Sequence, residues 1–359
     1  MAVTDAMRVR RGVSTGGSRA RLVAILVLAA IILIVWRKDF PIWGACTNDL
    51  SICTNVVAIG LFQGMIVALI ALGYTLVYGI LQLINFANGD VFMLGSVVTL
   101  YAVRLFNGAL GIKLGPATDL VIILIWFAIT LPIAMVICSA INASIERFAY
   151  RPLRRAPTVA TLIAAIGMSF VLQNLGQKLI GISPVSLPNL LSTADVFAIG
   201  AIHIKFSHVF VTAITLPLLF ALTYFVQNTR QGKAMRAVAQ DREAAGLMGI
   251  NVDRTISLTF LIAGALAGGA GVIVALYNGQ AWWFYGFPYG LLAFTAAVFG
   301  GIGNLKGAAV GGILLGIMIS LNAYYVDPRW QEVMVFGILV LVLVFRPTGI
   351  FGSAQSERA

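Results

Sequence analysis

Charge is scarce in this chain. Only 10% of its 359 residues are Asp, Glu, Lys or Arg, against 60% hydrophobic residues. A water-soluble domain of this size cannot hide so large an apolar share, so the natural solvent is a bilayer. Histidine and cysteine are equally sparse, with two and three copies, and no pair stands at zinc-ligand spacing. That leaves no basis for a metal centre. No glycine-rich turn closes on Lys-Ser or Lys-Thr, so the chain has no phosphate-binding loop and is not itself an ATPase. An integral membrane enzyme would need His, Asp or Glu clustered near one face, and no such cluster occurs. Nothing calls for a cofactor, and no residue is a catalytic candidate.

What is present is a series of long apolar runs. They lie near 22–36, 56–79, 86–106, 120–141, 160–182, 209–226, 256–277 and 333–345, with two shorter glycine-rich pieces at 289–301 and 308–321. Most approach the ~20 residues a spanning helix needs. The two short pieces do not, and are expected as tilted, re-entrant or buried helices, tolerated only where protein surrounds them. The predicted fold is an all-α polytopic bundle of about 8–10 transmembrane helices including these broken segments. The 37 glycines suit it, because small residues let membrane helices approach closely.

The net charge of +11 is not a nucleic-acid footprint, because the basic residues sit in the gaps between apolar runs rather than on one face. Ten crossings with both ends inside place Arg147, Arg151, Arg154 and Arg155 in one cytoplasmic loop. Arg230, Lys233, Arg236, Arg242 and Arg254 fall in another, with Lys306 and Arg346 also inside. Arg37 and Lys38 run against the pattern. The first apolar run lacks an evident small-residue cleavage site and reads as an uncleaved anchor with its N-terminus inside, a secretory signal being the alternative. Cys46 and Cys53 then fall in the first outside loop, where an oxidising environment would permit a disulfide. Cys138, in an apolar run, reads as a small buried side chain.

One polar, helix-prone stretch, Gly232 to Gly249, is parked between two apolar runs on the cytoplasmic side and carries both charge signs. It reads as a helix that docks on another protein, or as an amphipathic helix lying on lipid. Ala244 and Ala245 allow close contact, Gly246 or Gly249 can turn the chain, and ion pairing of Asp241 and Glu243 with Arg236 and Arg242 would fix orientation.

Polar residues at membrane depth are few. Asp90 is the acidic residue most deeply flanked by apolar sequence, and a carboxylate at the bilayer centre costs ~2.5–3.5 kcal/mol even on the mildest scale. Asn88–Gly89–Asp90 reads either as a turn and helix N-cap or, with Asn85, as part of a passage through the membrane. Ser169, Gln173 and Gln177 recur every fourth residue and share a helix face, with Asn174 beside them and Gln63 alone on an earlier run. Such a stripe lines a passage or holds helices together. Asn304 sits inside a cluster of glycines at 300, 301, 303, 307, 311 and 312 that predicts close packing around a broken segment, a common setting for a translocation site.

Several motifs carry a resemblance. Ala71–Gly79 (ALGYTLVYG) followed by Asn85–Asp90 (NFANGD), Tyr150–Arg154 (YRPLR), Phe299–Asn304 (FGGIGN) with Gly307, and Phe345–Gly352 (FRPTGIFG) together resemble the permease subunits of branched-chain amino acid importers of the ATP-binding-cassette class, the first-permease type above all. The resemblance runs in order from about 55 to 352. It implies a permease that performs no covalent chemistry, pairs with a second permease, is driven by two cytoplasmic ATPase subunits and receives a small solute from an extracytoplasmic binding protein, in a bacterial inner membrane. The family also serves urea and short amides. In such importers a Glu-Ala-Ala loop grips the ATPase, and the match here falls on Glu243, Ala244, Ala245 and Gly249, with Arg236, Asp241 and Gly246 of the same stretch expected to serve the coupling. The wider motif continues into Ile-x-Leu-Pro, whereas this chain reads Thr259–Phe260–Leu261–Ile262 and lacks the proline. The rival class is an ion-driven secondary transporter, which would want acidic or histidine relays in several spans, and Asp90 is the one candidate. The domain reading is a cytoplasmic tail, extra anchor and outside loop at 1–54, a permease domain at 55–352 with its coupling loop at 227–255, and a tail at 353–359.

Overall fold

The structure, a computed structural model, describes residues 50–352 apart from 83–84, 110, 112–113, 116–117, 155, 192–194, 200–201 and 347. The first apolar run, expected as the anchor, and Cys46 lie outside the described residues. The helices are α1 (Leu50–Leu81), α2 (Ala87–Ala109), α3 (Leu120–Ile145), α4 (Thr158–Ile180), α5 (Phe206–Asn228), α6 (Arg230–Gln240), α7 (Arg242–Leu247), α8 (Val252–Asn278), α9 (Gly286–Gly300), α10 (Leu305–Tyr325) and α11 (Gln331–Phe345). A π-helical turn, Glu146–Tyr150, continues α3. The short strands β1 (Val185–Ser186) and β4 (Gln280–Ala281) pair, as do β2 (Asp195–Ile199) and β3 (Ile202–Lys205).

Eight helices among the described residues are long and apolar enough to cross a bilayer. The run at 308–321, expected to be too short, is one of them, because the helix extends to Leu305 and Tyr325 under the Asn304 cap. The piece at 289–301 does stay short. It begins as α9 at Gly286 after a 3-10 turn, Trp283–Tyr285. Gly279, with φ of 64°, ends α8, and Trp282 and Trp283 both donate their indole N–H groups to the Ile182 carbonyl beyond α4. The other end of α9 meets the far side of the membrane, where Ile350 and Phe351 after α11 donate backbone N–H groups to Phe299 and Gly300. So α9 completes a crossing whose first part is not α-helical.

Burial sorts the helices into centre and rim. The apolar window of α8 is 78% buried and those of α1 and α2 are 67% buried, whereas α11 reaches 11%. On α3, Trp126, Phe127, Thr130, Ala134, Cys138 and Asn142 turn inward while Leu124, Ile125, Ile129, Ile133 and Val136 face outward. With lipid as solvent an apolar outer face needs no cover. Helix α1 packs on α10 through glycines on both: a Cβ on Gly312 would stand 2.5 Å from the Ala68 Cα, and one on Gly316 2.2 Å from the Gly64 Cα. Ser320 closes the outer end of this contact by donating to the Val56 carbonyl at 2.8 Å.

Candidate functional site

The connection from α1 to α2 does not stay at the membrane edge. The Gly89 N–H donates to the Tyr74 hydroxyl at 3.1 Å, and Tyr74 lies seven residues before the end of α1, a rise of roughly 10 Å. Helix α2 therefore begins at depth, and Asp90 sits in its first turn, 1% exposed. Ser169, midway along α4, donates its hydroxyl to Asp90 Oδ2 at 2.5 Å, and Gln173 donates its amide to Ser169 Oγ at 3.1 Å. Asp90 thus binds across to another helix. On its other side stands the first turn of α9, where a Cβ on Gly286 would lie 2.2 Å from Asp90 Oδ1. Glycine is what lets this helix end and this carboxylate meet.

Around this junction lie buried polar atoms with no hydrogen-bond partner among the described residues. They are Asp90 Oδ1, both amide atoms of Asn88, Asn85 Nδ2 and Thr75 Oγ1. Each such group carries a desolvation penalty of about 1–3 kcal/mol. Asn85 is held by Tyr150, whose hydroxyl donates to Asn85 Oδ1 at 2.7 Å, so two of the separate sequence motifs meet here. Asn88 packs on α1 at Gly73, where an added Cβ would stand 3.3 Å from its Nδ2. The other expected passage residues do not join this junction. Gln63 lies in the N-terminal half of α1 and lines a small cavity. Asn174 is exposed and donates back to the Phe170 carbonyl within α4. Asn304 caps the N-terminal end of α10, accepting from Lys306 and Gly307 and donating to the Phe351 carbonyl at 2.8 Å.

The polar loop between α5 and α8 forms two helices. Thr229 caps α6, accepting from Gly232 at 3.0 Å, and Met235 and Val238 are buried beneath it. The break falls at Asp241, whose carboxylate caps α7 by accepting the N–H groups of Glu243 and Ala244. A Schellman motif ends α7: Ile250 donates to the Ala245 carbonyl, Gly249 donates to Gly246, and Gly249 takes φ of 83°. The ion pairs expected from sequence give way to other roles. Arg236 donates to the Gln227 carbonyl at 3.2 Å. Arg242 donates to the carbonyls of Ile80 and Leu81 at 2.8 and 2.9 Å, at the C-terminal end of α1, where the helix dipole favours a cation. Burial, and next the charge of Arg154, hold the Arg242 guanidinium below its ordinary pKa.

The loop also presents what sequence reading missed. Ala245 turns inward, while Leu247 is 89% and Met248 83% exposed beside exposed Glu243, Ala244 and Gly246. Behind it, a cleft of about 430 Å³ separates the end of α1 from α6 and α7, with Arg154 and Arg242 in its walls. Arg154 pairs with the buried Glu146 and with Asp253, and Arg151 donates to Asp253 at 2.7 Å, tying the π-helical turn to the start of α8. Cys53 stands in the first turns of α1, and its expected partner Cys46 lies outside the described residues. No group of three or more His, Cys, Asp or Glu among the described residues could hold a metal ion.

A helical bundle of at least eight spanning segments, with a polar junction at its centre and a capped helical loop projecting from one face, is the architecture of a membrane permease. Residues 56–343 match the family described as branched-chain amino acid transport system / permease component, and the chain belongs to that family. It is 40% identical over 304 residues to the high-affinity branched-chain amino acid transport system permease protein LivH of Escherichia coli K12, covering 83% of this chain and 95% of that one. It is 40% identical over 302 residues to BraD, the corresponding permease protein of Pseudomonas aeruginosa, with the same shares covered. A probable LivH of Methanocaldococcus jannaschii is 27% identical over 294 residues, 80% of this chain and 89% of that one. No solved structure matches. The chain is a multi-pass permease of the inner membrane.

Proposed function

We propose that this chain is one half of the membrane pore of an ATP-driven importer of branched-chain amino acids. An extracytoplasmic binding protein delivers the solute, a second permease completes the pore, and two cytoplasmic ATPase subunits supply the energy. What carries the reading is the pairing of family membership with the geometry of α7. A short, rigidly capped helix presents Leu247, Met248 and Glu243 outward and is bound through Arg242 to the end of α1.

The same linkage supports a mechanism. Helix α6 continues from α5, α7 leads through the Gly249 turn into α8, and Arg242 holds α1. Displacement of α7 by the closing ATPases is thereby passed to the helices that surround the Asp90–Ser169 junction. That junction offers the solute hydrogen bonds with a single fixed charge, which suits a zwitterion that must be bound weakly and released. Its unpartnered polar atoms are the ones a passing ammonium or carboxylate would satisfy. Residues 55–352 form the permease unit in this reading, residues 227–255 its coupling loop, and Cys46 and Cys53 a disulfide on the outer face.

The test is reconstitution with two ATPase subunits, a second permease and a binding protein in proteoliposomes. ATP-dependent accumulation of leucine, isoleucine or valine is the expected result. A chain that fails to co-purify with an ATPase, or a complex that moves urea and not these amino acids, would overturn the reading.

A further inference from the structure

The outer half of the bundle contains a cavity distinct from the polar junction. It has a volume of about 140 Å³ and lies between α1, the end of α8, the first turns of α9, α10 and the start of α11. Its position on the extracytoplasmic side follows from Tyr277 and Asn278 in its wall, which close α8 at the end opposite the coupling loop.

The lining has two characters. Ile66, Val67, Leu292 and Ile319 make an aliphatic floor, while Gln63 and Gln331 supply uncharged polar groups. Asn278 donates to the Tyr289 hydroxyl at 3.2 Å and so fixes an aromatic wall. No Asp, Glu, Lys or Arg lines it. An apolar hole of about 150 Å³ in another protein accepts benzene, so this one has room for a four-carbon branched group with a head group left at the polar rim. A charged side chain would be desolvated there without a counter-charge.

We propose that this cavity is an outer recognition pocket that takes the branched aliphatic side chain of a neutral amino acid before the solute reaches the Asp90–Ser169 junction. The pocket rests on the import reading above and adds to it where selectivity is set within the membrane. Helix α9 borders both places. Pro288, Tyr289 and Leu292 face the cavity, and Gly286 and Gly290 face Asp90 and Gly89. Passage from one to the other is a movement of solute past the short, broken helix.

The experiment uses the full chain in its assembled complex, with leucine and valine as probes. Leu292→Phe fills the floor. The leucine-to-valine uptake ratio is expected to fall roughly tenfold against the parent, the effect a one-methylene difference carries in a tight apolar pocket. A Gln63→Cys variant serves as a second measurement that needs no core change. Leucine, and not glutamate, is expected to slow modification of the introduced thiol by a membrane-impermeant reagent, with the parent chain setting the background. If Leu292→Phe does not assemble, the thiol protection decides alone. An unchanged ratio, or an unprotected thiol, in a complex whose parent imports leucine overturns the pocket and leaves the import reading standing. A parent complex that imports no branched-chain amino acid sinks the import reading itself, and the pocket with it.

Discussion

Ser169 on α4 holds Asp90 on α2 through a 2.5 Å hydrogen bond, joining the middle of one helix to the first turn of another. The two residues are 79 apart in the chain. The bond exists because α2 starts beside Tyr74, inside the bilayer, so that a residue readable as a helix cap becomes a buried carboxylate bound by a different helix. In lipid such a group persists only with partners. Ser169 therefore fastens α4 to the start of α2.

The first prediction follows directly. Ser169→Ala removes the donor from a buried carboxylate, a loss of about 1–3 kcal/mol. Uptake in proteoliposomes should fall roughly tenfold, and Ser169→Thr, which keeps the hydroxyl, should restore most of it. Gln173→Leu should lower the rate while leaving the apparent affinity set by the binding protein unchanged. Full rates in both Ser169→Ala and Gln173→Leu would reduce the stripe to helix packing.

Arg242 is predicted to couple hydrolysis to transport. Arg242→Ala frees the end of α1 from α7, so ATP hydrolysis should continue in the assembled complex while solute moved per ATP drops several-fold. The measurement is simultaneous phosphate release and uptake. Unchanged stoichiometry would show that α1 does not need this bond.

The outward face of α7 is predicted to carry the docking energy. Leu247→Asp and Glu243→Arg should each weaken ATPase association by about 2 kcal/mol or more, the range of an interface hot spot. Membrane insertion should be unaffected, because all of these side chains lie outside the bundle. Quantitative co-purification against an insertion control checks this. Full retention of the ATPase, with full stimulation, would place the docking site elsewhere.

A membrane-impermeant thiol reagent should label Cys46 and Cys53 in intact cells only after reduction, and should never reach buried Cys138. Labelling confined to inside-out vesicles would reverse the assigned orientation.

Gly312→Val should separate α1 from α10. A Cβ at this site meets the Ala68 backbone at 2.5 Å, and overpacking of this kind costs about 1–3 kcal/mol. A lowered melting temperature of the detergent-solubilised chain is the expected readout, and Gly337→Ala, at a glycine with open space around it, is the matched control.

Sequence alone determined the class of this protein. Hydropathy marked the spans because a bilayer demands long apolar runs, and arginine placement sets the orientation expected of them, since charged loops favour the cytoplasmic side. The polar stretch from Gly232 to Gly249 announced a projecting loop because nothing so polar can lie at membrane depth. Even the glycine-rich segments gave notice of close packing, though the length of α10 needed the Asn304 cap to be recognised as a helix start. Tertiary structure decided which residues meet. Asn85 is joined to Tyr150 and Asp90 to Ser169, Arg242 reaches α1 instead of Asp241 or Glu243, and Asn174 and Asn304 bond to backbone away from the Asp90–Ser169 junction. The physical reason is that a helix's apolar periodicity reports only that it is buried or lipid-facing. The depth at which α2 and α9 begin, and hence which polar groups come within hydrogen-bond reach, depends on backbone approach between helices far apart in the chain.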